Sequence, residues 1–75
     1  MTAQFLRSQR LWVRPHDRDD AFALASAGRE CRFWEYRRTP VGDRIAMVRF
    51  ADNAPLTAFR VEDLVSAEEW EEVQA

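Results

Sequence analysis

Cys31 is the only cysteine in the 75-residue chain, so no internal disulfide can form and no all-cysteine metal knuckle can be built. The fold must come from packing alone, at a size where burying apolar area only just offsets the conformational entropy lost. Twenty-three large apolar side chains (Leu, Ile, Val, Met, Phe, Trp, Tyr) suffice for one core, so residues 1–75 read as a single domain. A chain without disulfides is expected in a reducing, cytoplasmic setting. Its longest apolar run, Ala21 to Ala25, falls far short of the roughly 20 residues that cross a bilayer. The opening MTAQFLRSQR lacks the apolar stretch of a secretory signal. No membrane is therefore expected among its partners.

Charge is distributed unevenly. Residues 1–61 carry eleven arginines against seven acids, a balance of +4, whereas residues 62–75 carry six acids and no base, a balance of −6. The reading is a mildly basic body with an acidic tail. All eleven basic residues are arginine and eleven residues are alanine. GC-rich coding explains both, so arginine identity alone carries little functional weight.

The tail has the clearest local signal. Ser66 and Glu69 form an S-x-x-E capping box, and Val65 and Trp70 stand where a hydrophobic staple would close. The spacing predicts a short helix from about 67 to 74, with Trp70 and Val73 on one face and Glu68, Glu69, Glu71 and Glu72 around the rest. Upstream the period changes to two. Strands are expected at Gln9–Arg14, Cys31–Arg38, Arg44–Phe50 and Leu56–Val61, with Thr39–Asp43 and Asn53–Pro55 as turns. Pro15 closes the first strand because it cannot donate to a ladder. Between strands one and two, Asp19 or Asp20 caps a two-turn helix with Gly28 as its C′ residue; a structured loop is the alternative.

The densest stretch is RFWEYRR, Arg32 to Arg38. Strict alternation puts Cys31, Phe33, Glu35 and Arg37 on one face and Arg32, Trp34, Tyr36 and Arg38 on the other. In the first strand Leu11 and Val13 share a face against Arg10, Trp12 and Arg14. Two neighbouring strands thus each present arginines around aromatic rings. The candidate partner-binding surface is Trp12, Arg14, Arg32, Trp34, Tyr36 and Arg38, since aromatic and arginine side chains dominate interface energies. The competing account makes these rings a second, minor core beneath arginine stems, with Trp70 covering Trp12 or Trp34.

Val48-Arg49-Phe50-Ala51-Asp52-Asn53, followed by Phe59-Arg60-Val61-Glu62-Asp63-Leu64, resembles the V-x-F-x-D strand and turn and the V-x-x-L turn of small SH3-like barrels, especially Tudor-type domains. Gly28-Arg29-Glu30-Cys31, leading into the aromatic strand, is similar to their G-x-x-C/V segment. The likeness spans about residues 9–65. It implies a mostly β fold, a small SH3-like barrel of four or five antiparallel strands, followed by the acidic helix of residues 66–75. Tudor-type domains commonly place one ring of a methyl-residue cage just after that aspartate. Here Asn53 and Ala54 occupy those positions, and a cation–π cage needs several enclosing faces. The resemblance therefore implies the barrel and not the ligand.

Catalysis finds little footing. His16 with Asp17, Asp19 and Asp20 is the only local group of metal-ligand types, and it reads as a turn and helix cap. Cys31 and His16 have no activating motif, and Cys31 reads as a buried small hydrophobe. Glu30, Glu35 and Asp43 supply carboxylates without a recognisable pairing. Gly28 and Gly42 are too few for a phosphate loop. The expectation is a non-enzymatic interaction module without cofactor or metal, binding a protein partner as an accessory, inhibitory or regulatory factor. The alternative is RNA or single-stranded DNA bound on the arginine–aromatic face. A third reading docks the surface of Glu68, Glu69, Glu71 and Glu72 onto a basic partner. A homodimer through an open strand edge is also compatible with the sequence.

Overall fold

In the computed structural model, which describes residues 5–74 and their side chains as far as residue 72, the chain is mostly β. Strands β1 (Arg10–Val13), β2 (Glu30–Arg38), β3 (Arg44–Arg49), β4 (Thr57–Arg60) and β5 (Leu64–Ser66) form one antiparallel sheet in the order β4-β3-β2-β1-β5. Helix α1 (Ala21–Ala25) lies between β1 and β2, and helix α2 (Ala67–Gln74) follows β5 directly. No ladder joins β4 to β5 among the described residues, so the sheet is open at these two edges. No helix among them is long and apolar enough to cross a membrane.

The four expected strands form at their expected places, β1, β3 and β4 trimmed by a residue or two and β2 begun one residue earlier, at Glu30. β5 is the strand the sequence reading missed. Leu64 and Val65 look like a turn and a staple in sequence, yet they pair with Val13 and Trp12 of β1. A 3-10 turn at Val61–Asp63 swings the chain from one edge of the sheet to the other. Local pattern could not show that a three-residue run would find β1, because the pairing is entirely long-range.

α1 exists and is capped as expected at Asp20, whose side chain accepts a hydrogen bond from Ala23 N. Its C-cap is Ser26, so Gly28 is not the C′ residue. Gly28 instead takes a φ of +80° to enter β2, donating its N–H to Val13 O at 2.8 Å. The Trp70 ring stands 3.8 Å from where a Cβ on this glycine would lie.

The core is built on one face of the sheet from Leu11, Val13, Cys31, Phe33, Ala46, Val48, Phe59 and Leu64. Period-two alternation accounts for the β1, β3 and β4 contributions. β2 breaks it. The register slips between Phe33, which pairs with Val48, and Glu35, which pairs with Met47, leaving Trp34 as the extra residue of a β-bulge. After the bulge Tyr36 pairs with Ala46, and its ring lies 4.7 Å from that of Phe33. Tyr36 therefore returns to the core side. Its hydroxyl accepts Phe5 N–H at 2.8 Å, and the Phe5 ring stacks on it.

One buried charge ties the far end together. Asp63, 1 % exposed, accepts His16 N–H at 2.8 Å and Arg60 Nε–H at 3.1 Å, while Arg60 reaches on to the Asp20 carboxylate at 3.2 Å. The hydrogen bond that Arg60 donates to Asp63, more than any other cause, raises the Arg60 pKa above its ordinary value. Asp20 and Asp17 are thereby committed to a cap and a turn, Asp17 accepting Asp19 N–H at 2.9 Å.

Candidate functional site

The six expected surface residues do not form one patch. Tyr36 faces the core for the reason just given, and Arg38, two residues further along the same strand, follows it to that side. The Arg38 guanidinium donates to Gly42 O in the β2–β3 hairpin at 3.1 Å. Arg14 lines a separate cavity with Pro15, His16 and Glu69. Trp12 is covered, since the Trp70 ring of α2 stacks on it with centroids 6.2 Å apart and planes 8° from parallel. Of the two coverings expected for the helix, Trp12 is the one that forms. The Val73 side chain, expected beside Trp70, lies outside the described residues.

Arg32 and Trp34 remain, and the fold adds two arginines to them. On the face opposite the core, β1, β2 and β3 place Arg10, Arg32 and Arg49 directly abreast, Arg10 opposite Arg32 and Arg32 opposite Arg49. Like charges in direct cross-strand register oppose folding. Only Arg10 is relieved, by a bidentate pair with Glu30 at 3.1 and 2.6 Å. That pair lowers the Glu30 pKa and raises that of Arg10, chiefly through the hydrogen bond itself. Arg32 donates to Ser8 O at 3.0 Å, and Arg49 Nε is buried without an acceptor.

Trp34, pushed out by the bulge, is half-buried between these cations. The Arg7 and Arg49 guanidinium carbons lie over its ring, 4.4 and 4.5 Å from the centroid. Arg7 arrives there through Ser8, a non-glycine residue with φ of +68° whose N–H is held by Phe33 O at 2.8 Å. Arg7 Nε also donates to Trp34 O at 3.3 Å. Beside the ring opens a groove of about 640 Å³ whose lining includes Arg32, Trp34, Arg49, Phe50 and Asp52. Among the described residues Arg7, Arg32 and Arg49 pair with no carboxylate, whereas Arg10, Arg37 and Arg60 each do.

Arg7 and Arg49 escaped the sequence reading for different reasons. Arg49 stands opposite Arg32 only in the actual β2–β3 register, which the bulge alters. Arg7 belongs to no strand, and its position depends on the left-handed turn at Ser8. The residues considered for chemistry are dispersed or spent. Cys31 is 2 % exposed, and burial above all pushes its thiol up to about 12, away from reactivity. Among the described residues no three His, Cys, Asp or Glu side chains converge to hold a metal ion.

α2 frames the neighbouring surface. A second groove, of about 570 Å³, is lined by Gln9, Arg10, Arg32, Ser66, Ala67 and Glu68, so one glutamate of the acidic helix stands at the end of the arginine row. Ser66 Oγ accepts Glu69 N–H and donates to the Glu69 carboxylate, each at 3.4 Å. No family model, no curated protein sequence and no solved structure matches this chain.

Proposed function

We propose that the chain is a non-catalytic binding module that engages a protein partner through the outer face of β2 and β3, centred on Trp34 with Arg7, Arg32 and Arg49. One observation carries this reading: the fold sets arginines side by side on adjacent strands and leaves two of them, Arg32 and Arg49, without a counter-charge among the described residues. Such an arrangement works against folding, and local rules broken without internal compensation concentrate at functional sites. The Trp34 ring supplies the apolar anchor such a surface needs. The SH3-like reading is supported by the V-x-x-L segment, which forms a 3-10 turn between β4 and β5. An accessory or inhibitory role, in which the module covers a partner's working surface, suits a chain of this size.

Capture from host extract tests the proposal, comparing wild type with Trp34→Ala and Arg14→Gln and scoring both protein and nucleic acid. A protein retained by wild type and Arg14→Gln but lost with Trp34→Ala is the expected result. Retention by all three removes Trp34 from the site. Recovery of nucleic acid alone would replace the protein reading with single-strand binding, in which rings stack on bases.

A further inference from the structure

Resting on the proposed binding face, we infer that the partner segment received by the Trp34 groove is an acidic, extended stretch of polypeptide whose carboxylates meet Arg7, Arg32 and Arg49. Charge complementarity is the first argument. Arg7 and Arg49 lie over the Trp34 ring, and Arg32 stands opposite Arg49 and lines the same groove. None of the three pairs with a carboxylate among the described residues, and Arg49 Nε–H is buried without an acceptor. A buried donor without a partner carries a free-energy penalty, which an arriving carboxylate relieves once the Arg49 side chain turns toward it. Planar guanidinium groups also match carboxylates in bidentate geometry.

The acids that border the site choose between polypeptide and nucleic acid. Glu30 and Asp52 line the same groove, and Glu68 borders its continuation past Arg10 and Arg32. A phosphodiester backbone brings charge at every nucleotide and would meet these carboxylates, while three arginines release few counterions. A peptide can space its carboxylates to reach the arginines and set an apolar residue against Trp34. The chain already offers a local analogue, since Glu68 of its own acidic helix borders the groove that Arg10 and Arg32 line.

The test uses the full chain, labelled for heteronuclear magnetic resonance, and three probes: a short oligoglutamate peptide with one central phenylalanine, its oligoglutamine counterpart, and an oligothymidylate of matching length. The oligoglutamate peptide should shift the amides of Arg32, Trp34, Arg49 and Asn53 saturably. Binding should weaken at least about tenfold in Arg49→Gln, as for loss of one charge-assisted hydrogen bond. Arg7→Gln, which leaves the sheet untouched, should weaken it too, and Arg14→Gln should not. Equal binding of the glutamine peptide overturns the acidic inference while leaving the groove as a binding face. Tighter binding of the oligothymidylate overturns it in favour of nucleic acid. Silence toward all three probes also overturns it, whereas the extract experiment judges the broader proposal independently.

Discussion

Cys31 shows how a residue's burial can be converted into a measurement. Its thiol is raised from an ordinary 9.0 to about 12, mainly by burial and secondarily by the nearby Glu30 charge. The folded state thus holds its proton more tightly than the unfolded chain does. The stability linked to this proton is whole below pH 9 and drains away as pH rises from 9 toward 12. Denaturant unfolding at pH 8 and pH 10 should show wild type losing about 1 kcal/mol more over that interval than Cys31→Ala. Equal losses would mean that the thiol titrates normally. Asp63 makes a second residue-scale case. Removing its carboxylate in Asp63→Ala leaves His16 N–H and Arg60 without their acceptor and should lower stability by about 2–3 kcal/mol, read from the same unfolding curves. The burial of Cys31 is legible in the sequence from its alternation with Phe33. That of Asp63 is not, because the backbone N–H it accepts comes from His16, 47 residues away, and Arg60, three residues before it, is held in turn by the distant Asp20.

Strand β2 is the element on which sequence and structure part. Alternation read forward from Cys31 is right as far as Trp34 and inverted from Glu35 onward, because one extra residue reverses every later side chain. Nothing in RFWEYRR marks the bulge, since any of its residues could be the extra one without breaking an apolar rule. Helix α2 was legible because its cap, first-turn acids and apolar anchor are all local. Four glutamates in eight residues, with no base in the last turn, give it little intrinsic stability, so the stack of Trp70 on Trp12 holds it down. Truncation after Ser66 keeps β5 whole, whereas a cut before Ser66 would remove a residue that pairs with Leu11. The truncated chain should stay folded, lose about 2 kcal/mol, and lose the coupled-indole signal in circular dichroism, as should Trp70→Ala. A signal that persists in Trp70→Ala would place the stack elsewhere.

For the molecule as a whole, the charge asymmetry visible in the sequence brings one acid of the tail, Glu68, beside Arg10 and Arg32 at the outer face of the sheet. The core face stabilises the fold, and the opposite face is divided between a stretch roofed by α2 at Trp12 and an open stretch at Trp34. Fold class and the first four strands follow from period and turn chemistry. The division of the outer face does not, because it depends on sheet order, the bulge and the turn at Ser8 together. The measurement that bears most directly on this account is partner retention by two folded variants of the same strand, Trp34→Ala and Tyr36→Phe. Tyr36→Phe should give up about 1 kcal/mol of stability with the Phe5 hydrogen bond and retain the partner fully, while Trp34→Ala should lose it. Retention by Trp34→Ala together with loss in Tyr36→Phe would contradict the account, because the binding ring would then be the one that the bulge turns toward the core.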